Sequence, residues 1–244
     1  MTYGHDHVEL YDLVFRSRGK DFGAEAEELA ALIRDRKPGA ATLLDVACGT
    51  GAHLERLAGL FDEVEGVEIA PAMREFAQLR LPDIDIHPGD MRDFDLGKKY
   101  DSLICIGNAV ACMLSSHDLD KAVARMAEHL DHGGVLVVEP WWFPENFIDG
   151  YVGGHVVRED RRVVSRLTRS VREGLTTRME IRFTVSEPEG MRAWTDELVT
   201  SLFTREEYEL AFERAGCTVE FLSDPLQLSD GRANAPGLFV GVRK

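Results

Sequence analysis

The chain has 244 residues, of which 44% are hydrophobic, and a formal net charge of −15. This length is enough for one well-buried core. So acidic a surface repels phosphate backbones, and we therefore expect no nucleic-acid partner. The apolar runs are far shorter than the ~20 residues of a membrane-spanning helix, and the polar N-terminus does not resemble a signal peptide. We therefore expect a cytoplasmic protein without membrane contact.

Cysteine and histidine spacing gives no sign of a disulfide framework or a metal site. The four cysteines lie in or beside apolar segments without a CxxC pattern. This usage is typical of free thiols in a reducing compartment. The eight histidines show no ligand spacing with cysteines or carboxylates, so we expect no bound metal.

Apolar runs and helical periodicity alternate along the first 140 residues. The runs at 42–47, 63–69, 84–90, 100–107 and 135–140 have the length of strands, and helical stretches are predicted at 23–36, 52–60, 71–80 and 118–130. This alternation predicts a parallel, doubly wound sheet.

The pattern changes after residue 150. Residues 155–186 show period-two alternation, most clearly in TRMEIRFTV, which places Met179, Ile181, Phe183 and Val185 on one face. An antiparallel meander inserted into the α/β domain is therefore predicted. Thr204 and Glu207 form the pattern of a capping box that begins a helix. Two final strands, 217–223 and 237–244, have no helix between them and must pair antiparallel.

A glycine-containing loop follows the first strand in LLDVACGTGAHL. Gly49 and Gly51 lie between a strand and a helix, where the backbone can approach a ligand closely, although glycines can also serve turn geometry alone. Glu68 ends the second strand, where an acid can bind both ribose hydroxyls. Asp90 and Met91 end the third strand and can hold an adenine by its amino group and its face.

The motif Asp45-x-Ala47-x-Gly49-x-Gly51, together with Glu68 and Asp90-Met91, resembles the class I S-adenosylmethionine-dependent methyltransferases. The resemblance implies S-adenosyl-L-methionine as cofactor. Ala47 stands where the family usually has a glycine. An NAD-binding domain is the competitor, but Leu54 stands where a GxGxxG motif needs its last glycine. The resemblance implies that the cofactor contacts the following residues: Tyr11, Lys20, Asp45, Ala47, Gly49, Gly51, Glu68, Ile69, Asp90 and Met91.

The resemblance also implies the arrangement of the whole chain. The predicted fold is α/β, with a doubly wound, Rossmann-like seven-stranded sheet, an antiparallel last strand and the inserted β meander. Residues 1–244 form a single methyltransferase domain, in which 1–37 are a helical cap over the cofactor and 150–200 are a substrate-binding insertion. The cap places Tyr11 near the sulfonium, and Lys20 or Arg18 near the cofactor carboxylate. The alternative is an ordinary amphipathic N-terminal helix.

Two adjacent tryptophans follow the fifth strand in VLVVEPWWFPENF. Neighbouring side chains diverge, so one ring can pack under the meander while Trp142 lines a substrate pocket at the carboxyl end of the sheet. The alternative is that both rings hold the insertion against the core.

A basic segment interrupts this acidic chain. Residues 155–182 contain eight arginines and four acidic residues, a local formal charge of +4. Arginine forks match phosphate oxygens, so the segment favours an anionic ligand. The alternative is a set of solvated strand edges.

The same region resembles the N-methyltransferases of dTDP-linked amino sugars in deoxysugar and macrolide antibiotic biosynthesis. The likeness covers nearly the whole chain and is strongest in EPWWFPENFIDGYVGGHVVRE, SRLTRSVREGLTTRMEI and GLFVGVRK. It implies a dTDP-amino-sugar substrate and contacts from Trp142, Tyr151, Arg158, Ser170, Arg178, Glu180, Arg182 and Arg243. An exposed meander surface is also compatible with a homodimer.

Members of this family carry a histidine near the reacting amine, where this chain has Cys112. A thiol is a poor substitute for imidazole, and His117 nearby more often fits a helix N-terminus. We expect Tyr11, Asn108 and Cys112 to position the reaction, without an indispensable base. Two alternatives remain open: an O-methyltransferase of another small-molecule natural product, and a cofactor-binding protein without catalysis.

Overall fold

Strands and helices alternate through the first half of the chain, as the sequence predicts. The computed structural model describes residues 5–223, 226, 228 and 235–244. The strands of this half are β1 (Thr42–Val46), β2 (Glu63–Glu68), β3 (Ile86–Pro88), β4 (Tyr100–Cys105) and β5 (Leu130–Val138). The helices are α1 (His5–Ser17), α2 (Phe22–Arg36), α3 (Leu54–Leu57), α4 (Pro71–Arg80) and α5 (Ser116–Glu128), with a 3-10 turn at Ala109–Cys112.

The main sheet is completed by the C-terminal residues. A four-stranded segment comes first, with β6 (Tyr151–Arg158), β7 (Val163–Glu173), β8 (Thr176–Glu187) and β9 (Gly190–Ser201), followed by α6 (Arg205–Arg214), β10 (Cys217–Leu222) and β11 (Leu238–Arg243). Strand β10 pairs antiparallel with β11, which pairs antiparallel with β5. The seven-stranded sheet has the order β10-β11-β5-β4-β1-β2-β3. The predicted fold class, with its reversed last strand, is confirmed.

Helices cover both faces of this sheet because consecutive strand residues point to opposite faces. Leu44 belongs to an apolar cluster that includes residues of α5 and α6, whereas Leu43 belongs to a second cluster with residues of α2 and α3. The strand order turns around between β1 and β4, and the carboxyl ends of β1, β2, β4 and β5 share one edge. A ligand crevice is expected at that edge.

The four-stranded antiparallel meander, in the order β6-β7-β8-β9, packs against the N-terminal helix. Leu10 and Val14 of α1 share an apolar cluster with Ile181, Phe183 and Val185 of β8. The meander runs from Tyr151 to Ser201, longer than the 155–186 that alternation indicates. The division into a cap at 1–37 and an insertion at 150–200 stays a prediction.

Two local backbone features concern the start of α6 and the interior of β5. Thr204 and Glu207 form the predicted capping box of α6. Gly133 has a left-handed φ of 74° but lies inside β5, where the pairing with β4 is irregular between Tyr100 and Ser102. The Gly133–Gly134 pair therefore accommodates a strand irregularity. Within the described residues, no helix combines the length and apolar character needed to span a membrane.

Candidate functional site

A cavity of about 780 Å³ lies at the carboxyl edge of the sheet, between the loops after the parallel strands and the meander. It joins the two halves of the predicted site. The cavity is lined by these predicted site residues: Tyr11, Lys20, Ala47, Gly49, Glu68, Ile69, Asp90, Met91, Asn108, Cys112, Trp142, Tyr151 and Ser170. The remaining predicted residues do not line it: Asp45, Gly51, Arg158, Arg178, Glu180, Arg182 and Arg243.

The loop after β1 has an unusual run of left-handed residues. Ala47, Gly49 and Gly51 have φ values of 63°, 57° and 74°. Glycine adopts this conformation readily, whereas alanine does so at a steric cost. A Cβ on Gly51 would lie 2.9 Å from Cδ1 of Leu81, the residue that follows α4. The absence of a side chain at Gly51 therefore allows close packing behind the cavity.

Glu68 joins the loops that follow β1 and β2. Its Oε2 accepts from the Gly49 backbone N–H at 2.9 Å, and its Oε1 accepts from the Ala70 N–H at 2.7 Å. Burial raises the pKa of Glu68 despite these bonds. The carboxylate is thus fixed in the cavity wall, with the exposed Ile69 side chain beside it.

Asp45 lies beneath the cavity rather than in its wall. Its side chain is buried, and burial, followed by the charge of Glu68, raises its pKa well above the usual range. Direct contact of Asp45 with the cofactor stays a prediction.

The acid predicted to bind adenine is held by an arginine. Arg92 Nε donates to Asp90 Oδ1 at 3.0 Å, and Arg92 Nη2 donates to Asp90 Oδ2 at 2.6 Å. The same guanidinium lies 3.4 Å from Asp118 of α5. The bond to Arg92 lowers the pKa of Asp90, so its carboxylate is ionised and oriented beside Met91 at the cavity.

The N-terminal helix contributes Tyr11 to the cavity, and Lys20 follows it. Tyr11 is partly buried, and desolvation raises the pKa of its phenol above the ordinary value. Lys20 Nζ lies 2.7 Å from Glu25 Oε2, an oxygen that is also 2.8 Å from His53 Nε2. The Lys20 ammonium is therefore neutralised by Glu25 within the protein, although it borders the cavity together with Arg18.

The loop after β4 is held by hydrogen bonds to the residues that directly follow β5. Gly107 N donates to Glu139 Oε2 at 2.5 Å, and Asn108 Nδ2 donates to the Pro140 carbonyl at 2.7 Å. Asn108 has a left-handed φ of 61°. Cys112 also lines the cavity, and burial raises the pKa of its thiol, so it is a neutral group there.

Both tryptophans after β5 line the cavity. Divergence of neighbouring side chains predicts that only Trp142 lines the pocket while the other ring packs under the meander. The chain continues without regular structure from Glu139 to Phe143, so strict strand alternation does not apply to the two rings. The Trp141 indole N–H is buried and has no hydrogen-bond partner among the described residues.

The arginines of the meander divide by strand face. Arg178, Glu180 and Arg182 alternate with buried Thr177, Ile181 and Phe183, so they lie on the face away from the cavity. Arg178 pairs with Glu173 there. The exposed Arg158 alternates in the same way with Val157, and Arg243 donates to the Ala215 carbonyl at 2.9 Å. The structure does not bring these predicted substrate residues to the cavity of their own chain.

The inner face of the meander instead presents a different set of polar groups. Arg166 is the one arginine of the fully described segment 155–182 that lines the cavity, and Ser170 and Tyr151 lie along the same two strands. Arg166 follows Val164 by two residues, so the alternation itself signals its inward position. Alternation in the sequence places Arg178, Glu180 and Arg182 together on one face of β8, but the charge of the whole segment provides no reason to single out Arg166 on β7.

His7 is a second cavity residue that sequence reasoning missed. It lies on α1, is 6% exposed, and its Nδ1 is 2.7 Å from Asp196 Oδ2 on β9. The two residues are 189 positions apart, so no local pattern predicts the contact.

The described residues contain one group with metal-ligand atoms close together, Glu65, Asp85 and His87. Glu65 already pairs with the Lys98 ammonium and accepts from the Tyr100 hydroxyl at 2.8 Å. The group is therefore accounted for as a hydrogen-bonded cluster on β2 and β3.

Comparison with known proteins gives a consistent result. Residues 43–134 match the model of a methyltransferase domain. The chain is 49% identical to a dTDP-4-amino-2,3,4,6-tetradeoxy-D-glucose N,N-dimethyltransferase of Saccharopolyspora spinosa, covering 99% of this chain and 94% of that protein. It is 48% identical to a dTDP-3-amino-3,4,6-trideoxy-alpha-D-glucopyranose N,N-dimethyltransferase of Streptomyces venezuelae, covering 98% of this chain and 99% of that protein.

Comparison with solved structures indicates the same family. The crystal structure of Streptomyces venezuelae DesVI matches with a TM-score of 0.92 and 48% identity, over 99% of this chain and 100% of that one. SAM-bound CalS10, an amino pentose methyltransferase of Micromonospora echinaspora, matches with a TM-score of 0.88 and 48% identity, over 96% of this chain and 97% of that one. The chain belongs to the S-adenosylmethionine-dependent methyltransferases, in the family of the dTDP-amino-sugar N,N-dimethyltransferases.

Proposed function

We propose that this enzyme methylates the amino group of a dTDP-linked deoxy-amino sugar in antibiotic biosynthesis, with S-adenosyl-L-methionine as methyl donor. The observation that carries the proposal is the single cavity in which the loops after β1, β2 and β3 meet the inner face of the meander. One half offers the residues expected for a nucleoside, and the other offers Arg166, Ser170 and the tryptophans. The sequence identity of 49% and 48% to two sugar N,N-dimethyltransferases supports the same substrate class.

The charges around the cavity fit the cofactor. Asp45, Glu68 and Glu139 are acids whose pKa values are raised by burial, and Glu139 Oε1 has no hydrogen-bond partner among the described residues. Buried acids of this kind favour a ligand that carries positive charge. When bound, S-adenosyl-L-methionine supplies an electrophilic methyl group on a positively charged sulfur. Glu68 would hold its ribose, and Asp90 with Met91 would hold its adenine.

The half of the cavity that is lined by the meander suits an anionic nucleotide sugar. The Arg166 guanidinium lies in the wall, and Ser170, Thr168 and Thr200 provide hydroxyl groups on the neighbouring strands. A guanidinium is well suited to diphosphate oxygens. The rings of Trp141 and Trp142 provide apolar surface that excludes water from the sugar.

Positioning carries most of the acceleration in this proposal. A neutral amine brings its own lone pair, so the methyl transfer requires alignment rather than an activating base. Alignment of two reactants in a site can lower a barrier by roughly 7–11 kcal/mol. Tyr11, Asn108 and Cys112 line the same cavity and would position the amine.

Mass spectrometry of the products tests the proposal. The enzyme is incubated with S-adenosyl-L-methionine and a panel of dTDP-amino sugars, with the matching 3- and 4-hydroxy sugars as controls. We expect methylated amines and no methylated hydroxyls. Methyl transfer to hydroxyl controls alone would instead support an O-methyltransferase of another small molecule.

A thermal melt tests the two ligand halves separately. Each ligand at 100 times its Kd adds about 2.7 kcal/mol to the free energy of unfolding. S-adenosylhomocysteine and thymidine diphosphate are each expected to raise Tm, and both together are expected to raise it further. Stabilisation by S-adenosylhomocysteine but not by thymidine diphosphate would contradict the nucleotide part of the proposal.

We also propose a cytoplasmic homodimer. The outer face of the meander exposes Val152, Val156 and Leu167, with exposed fractions of 70%, 55% and 55%. A second copy of the chain is the proposed partner, and light scattering in solution tests it. The four cysteines are free in the structure, which supports a reducing compartment.

A further inference from the structure

Arg92, two residues after Asp90, makes three hydrogen bonds to the carboxylate of that aspartate. The backbone N–H of Arg92 donates to Asp90 Oδ1 at 3.0 Å, and Arg92 Nε donates to the same oxygen at 3.0 Å. Arg92 Nη2 donates to Asp90 Oδ2 at 2.6 Å. A guanidinium that holds both oxygens of a carboxylate fixes its direction as well as its charge.

The backbone of Asp90 is anchored independently of this pair. The N–H groups of Asp93 and Phe94 both donate to the Asp90 carbonyl at 3.0 Å, which closes a turn after β3. Met91 and Phe94 of the same turn are buried in the apolar cluster on one face of the sheet. What remains adjustable at Asp90 is the rotation of its side chain, because the terminal torsion of an aspartate has broad preferences. Arg92 is the residue that restricts this rotation.

Arg92 is itself held from the neighbouring helix. Its Nη1 donates to Asp118 Oδ1 of α5 at 3.4 Å. The Asp118 carboxylate accepts in turn from the hydroxyl of Ser115, which caps the N-terminus of α5. Asp90, Arg92 and Asp118 all line the cavity. The guanidinium therefore spans from the loop after β3 to the first turn of α5 along the cavity wall.

The stability of the fold does not account for this arrangement. The side chains of Asp90 and Arg92 are 19% and 42% exposed, and ion pairs with such exposure contribute little to the free energy of unfolding. Their common feature is a place at the site expected to hold adenine. The geometry is therefore better explained by recognition of a ligand.

The Asp90 carboxylate can only accept hydrogen bonds. The bonds from Arg92 lower its pKa, so it carries no proton at neutral pH. A carboxylate has about four acceptor positions, and Arg92 fills two on Oδ1 and one on Oδ2. One position on Oδ2 is left for a donor from a ligand.

An acceptor with a fixed direction distinguishes purines by the group at C6. Adenine has an amino group there, which donates, whereas hypoxanthine has an oxo group, which repels a carboxylate. A carboxylate that rotates freely can turn toward water and avoid the oxo group, so orientation strengthens the discrimination. This argument rests on the proposed function, in which Asp90 and Met91 hold the adenine of the cofactor.

We propose that Arg92 is a positioning residue that fixes the Asp90 carboxylate and thereby makes the cofactor site selective for a 6-aminopurine. Asp90 accepts the hydrogen bond from the 6-amino group, and Arg92 acts through Asp90. The pairing of Arg92 with Asp118 keeps the guanidinium in place when the cofactor enters and leaves.

Calorimetry with two ligands tests this role without methyl transfer. The ligands are S-adenosylhomocysteine and S-inosylhomocysteine, which carry the amino and the oxo group. We expect the unaltered enzyme to favour the first by about 100-fold, below the range for fully buried polar sites. Arg92→Ala should reduce this ratio about tenfold, the scale of ordering one free side chain on binding. Arg214→Ala is the matched control, since Arg214 pairs with Asp120 of α5 outside the cavity and its loss should leave the ratio unchanged.

Two further variants separate orientation from other effects. Arg92→Lys keeps the charge but not the fork, so its ratio should lie between those of the unaltered enzyme and Arg92→Ala. Asp90→Asn offers an amide N–H to the oxo group and should bring the ratio close to one. Adding Arg92→Ala to Asp90→Asn should then cause no further change in the ratio, because Arg92 acts through Asp90.

Different failures have different meanings. An unchanged ratio in Arg92→Ala and Arg92→Lys, or an equal loss of affinity for both ligands, would overturn the role of Arg92. An unchanged ratio in Asp90→Asn would overturn it too, because the adenine would then not be read by Asp90. Absence of S-adenosylhomocysteine binding by the unaltered enzyme would contradict the proposed function itself.

Discussion

Ala47 is the residue at which this chain departs from the glycine pattern of class I methyltransferases, and the structure shows the consequence. It has a φ of 63° in the loop that begins the cofactor half of the cavity. A left-handed conformation costs an L-residue with a Cβ about 1–2 kcal/mol. Strain at a ligand-binding loop is common, because the surrounding structure holds the backbone in place.

Ala47→Gly should stabilise the protein. Relief of about 1–2 kcal/mol of strain is offset in part by the ~0.4–1 kcal/mol that glycine adds to the entropy of the unfolded chain. We expect a net gain of about 0.5–1 kcal/mol and a Tm rise of ~1–4 °C in calorimetry. Ala30→Gly inside α2 is the control and should destabilise by about 1 kcal/mol. A fall in Tm for Ala47→Gly would contradict the strain argument.

At the scale of elements, the two faces of the meander have different environments. Period-two alternation places Thr177, Ile181 and Phe183 of β8 inward, and the paired register carries the same division to Arg166 on β7. The charged residues of β8 lie on the opposite face. The charge count of the segment therefore does not predict which arginine meets the cavity.

Arg166→Ala and Arg178→Ala test this division. Loss of Arg166 should raise KM for the dTDP-sugar by at least tenfold, or about 1.4 kcal/mol, because the diphosphate loses a charged partner. Its kcat should change little. Arg178→Ala should leave KM within about twofold, since Arg178 pairs with Glu173 on the outer face. Steady-state kinetics measure both variants, and a larger effect at Arg178 would favour the contact that the family resemblance implies.

At the scale of the whole molecule, α1 closes the cavity because it contacts the meander on one side and the glycine loop and α4 on the other. Its Leu10 and Val14 pack on the meander, while Asp12 bonds the glycine loop and α4. Asp12 Oδ1 accepts from Thr50 Oγ1 at 2.6 Å, and Oδ2 pairs with Arg80. The helix therefore connects the two sheets around the ligand site.

Asp12→Ala should weaken cofactor binding without removing a cavity residue. Arg80 would lose its partly buried partner, and α1 would dock less firmly over the loop. We expect at least a tenfold rise in Kd for S-adenosylhomocysteine by calorimetry, with faster amide exchange across α1. Glu9→Ala is the control on the same helix, because Glu9 pairs at the surface with Arg162 and Arg192. Equal effects of the two substitutions would argue against this role of Asp12.

Local patterns in the sequence were sufficient for the elements and for the loops that line one half of the cavity. Hydrophobic periodicity predicts the strands and helices, and the absence of a helix before the last strand predicts its reversal. The loops expected to bind the cofactor are also local features, because Ala47, Gly49, Glu68 and Asp90 each lie at or just after a strand end, and parallel strands bring their ends to one edge. A position next to a strand end is a property that sequence alone determines.

Only the tertiary structure decided the other half. The pair of His7 and Asp196 joins residues 189 positions apart, and the inward place of Arg166 depends on which face of the meander packs on α1. Charge and residue type do not specify these contacts, because they arise from the packing of one element on another. The sequence determined the fold and the loops at the carboxyl edge of the sheet, whereas docking of the meander and α1 determined the opposite wall of the cavity.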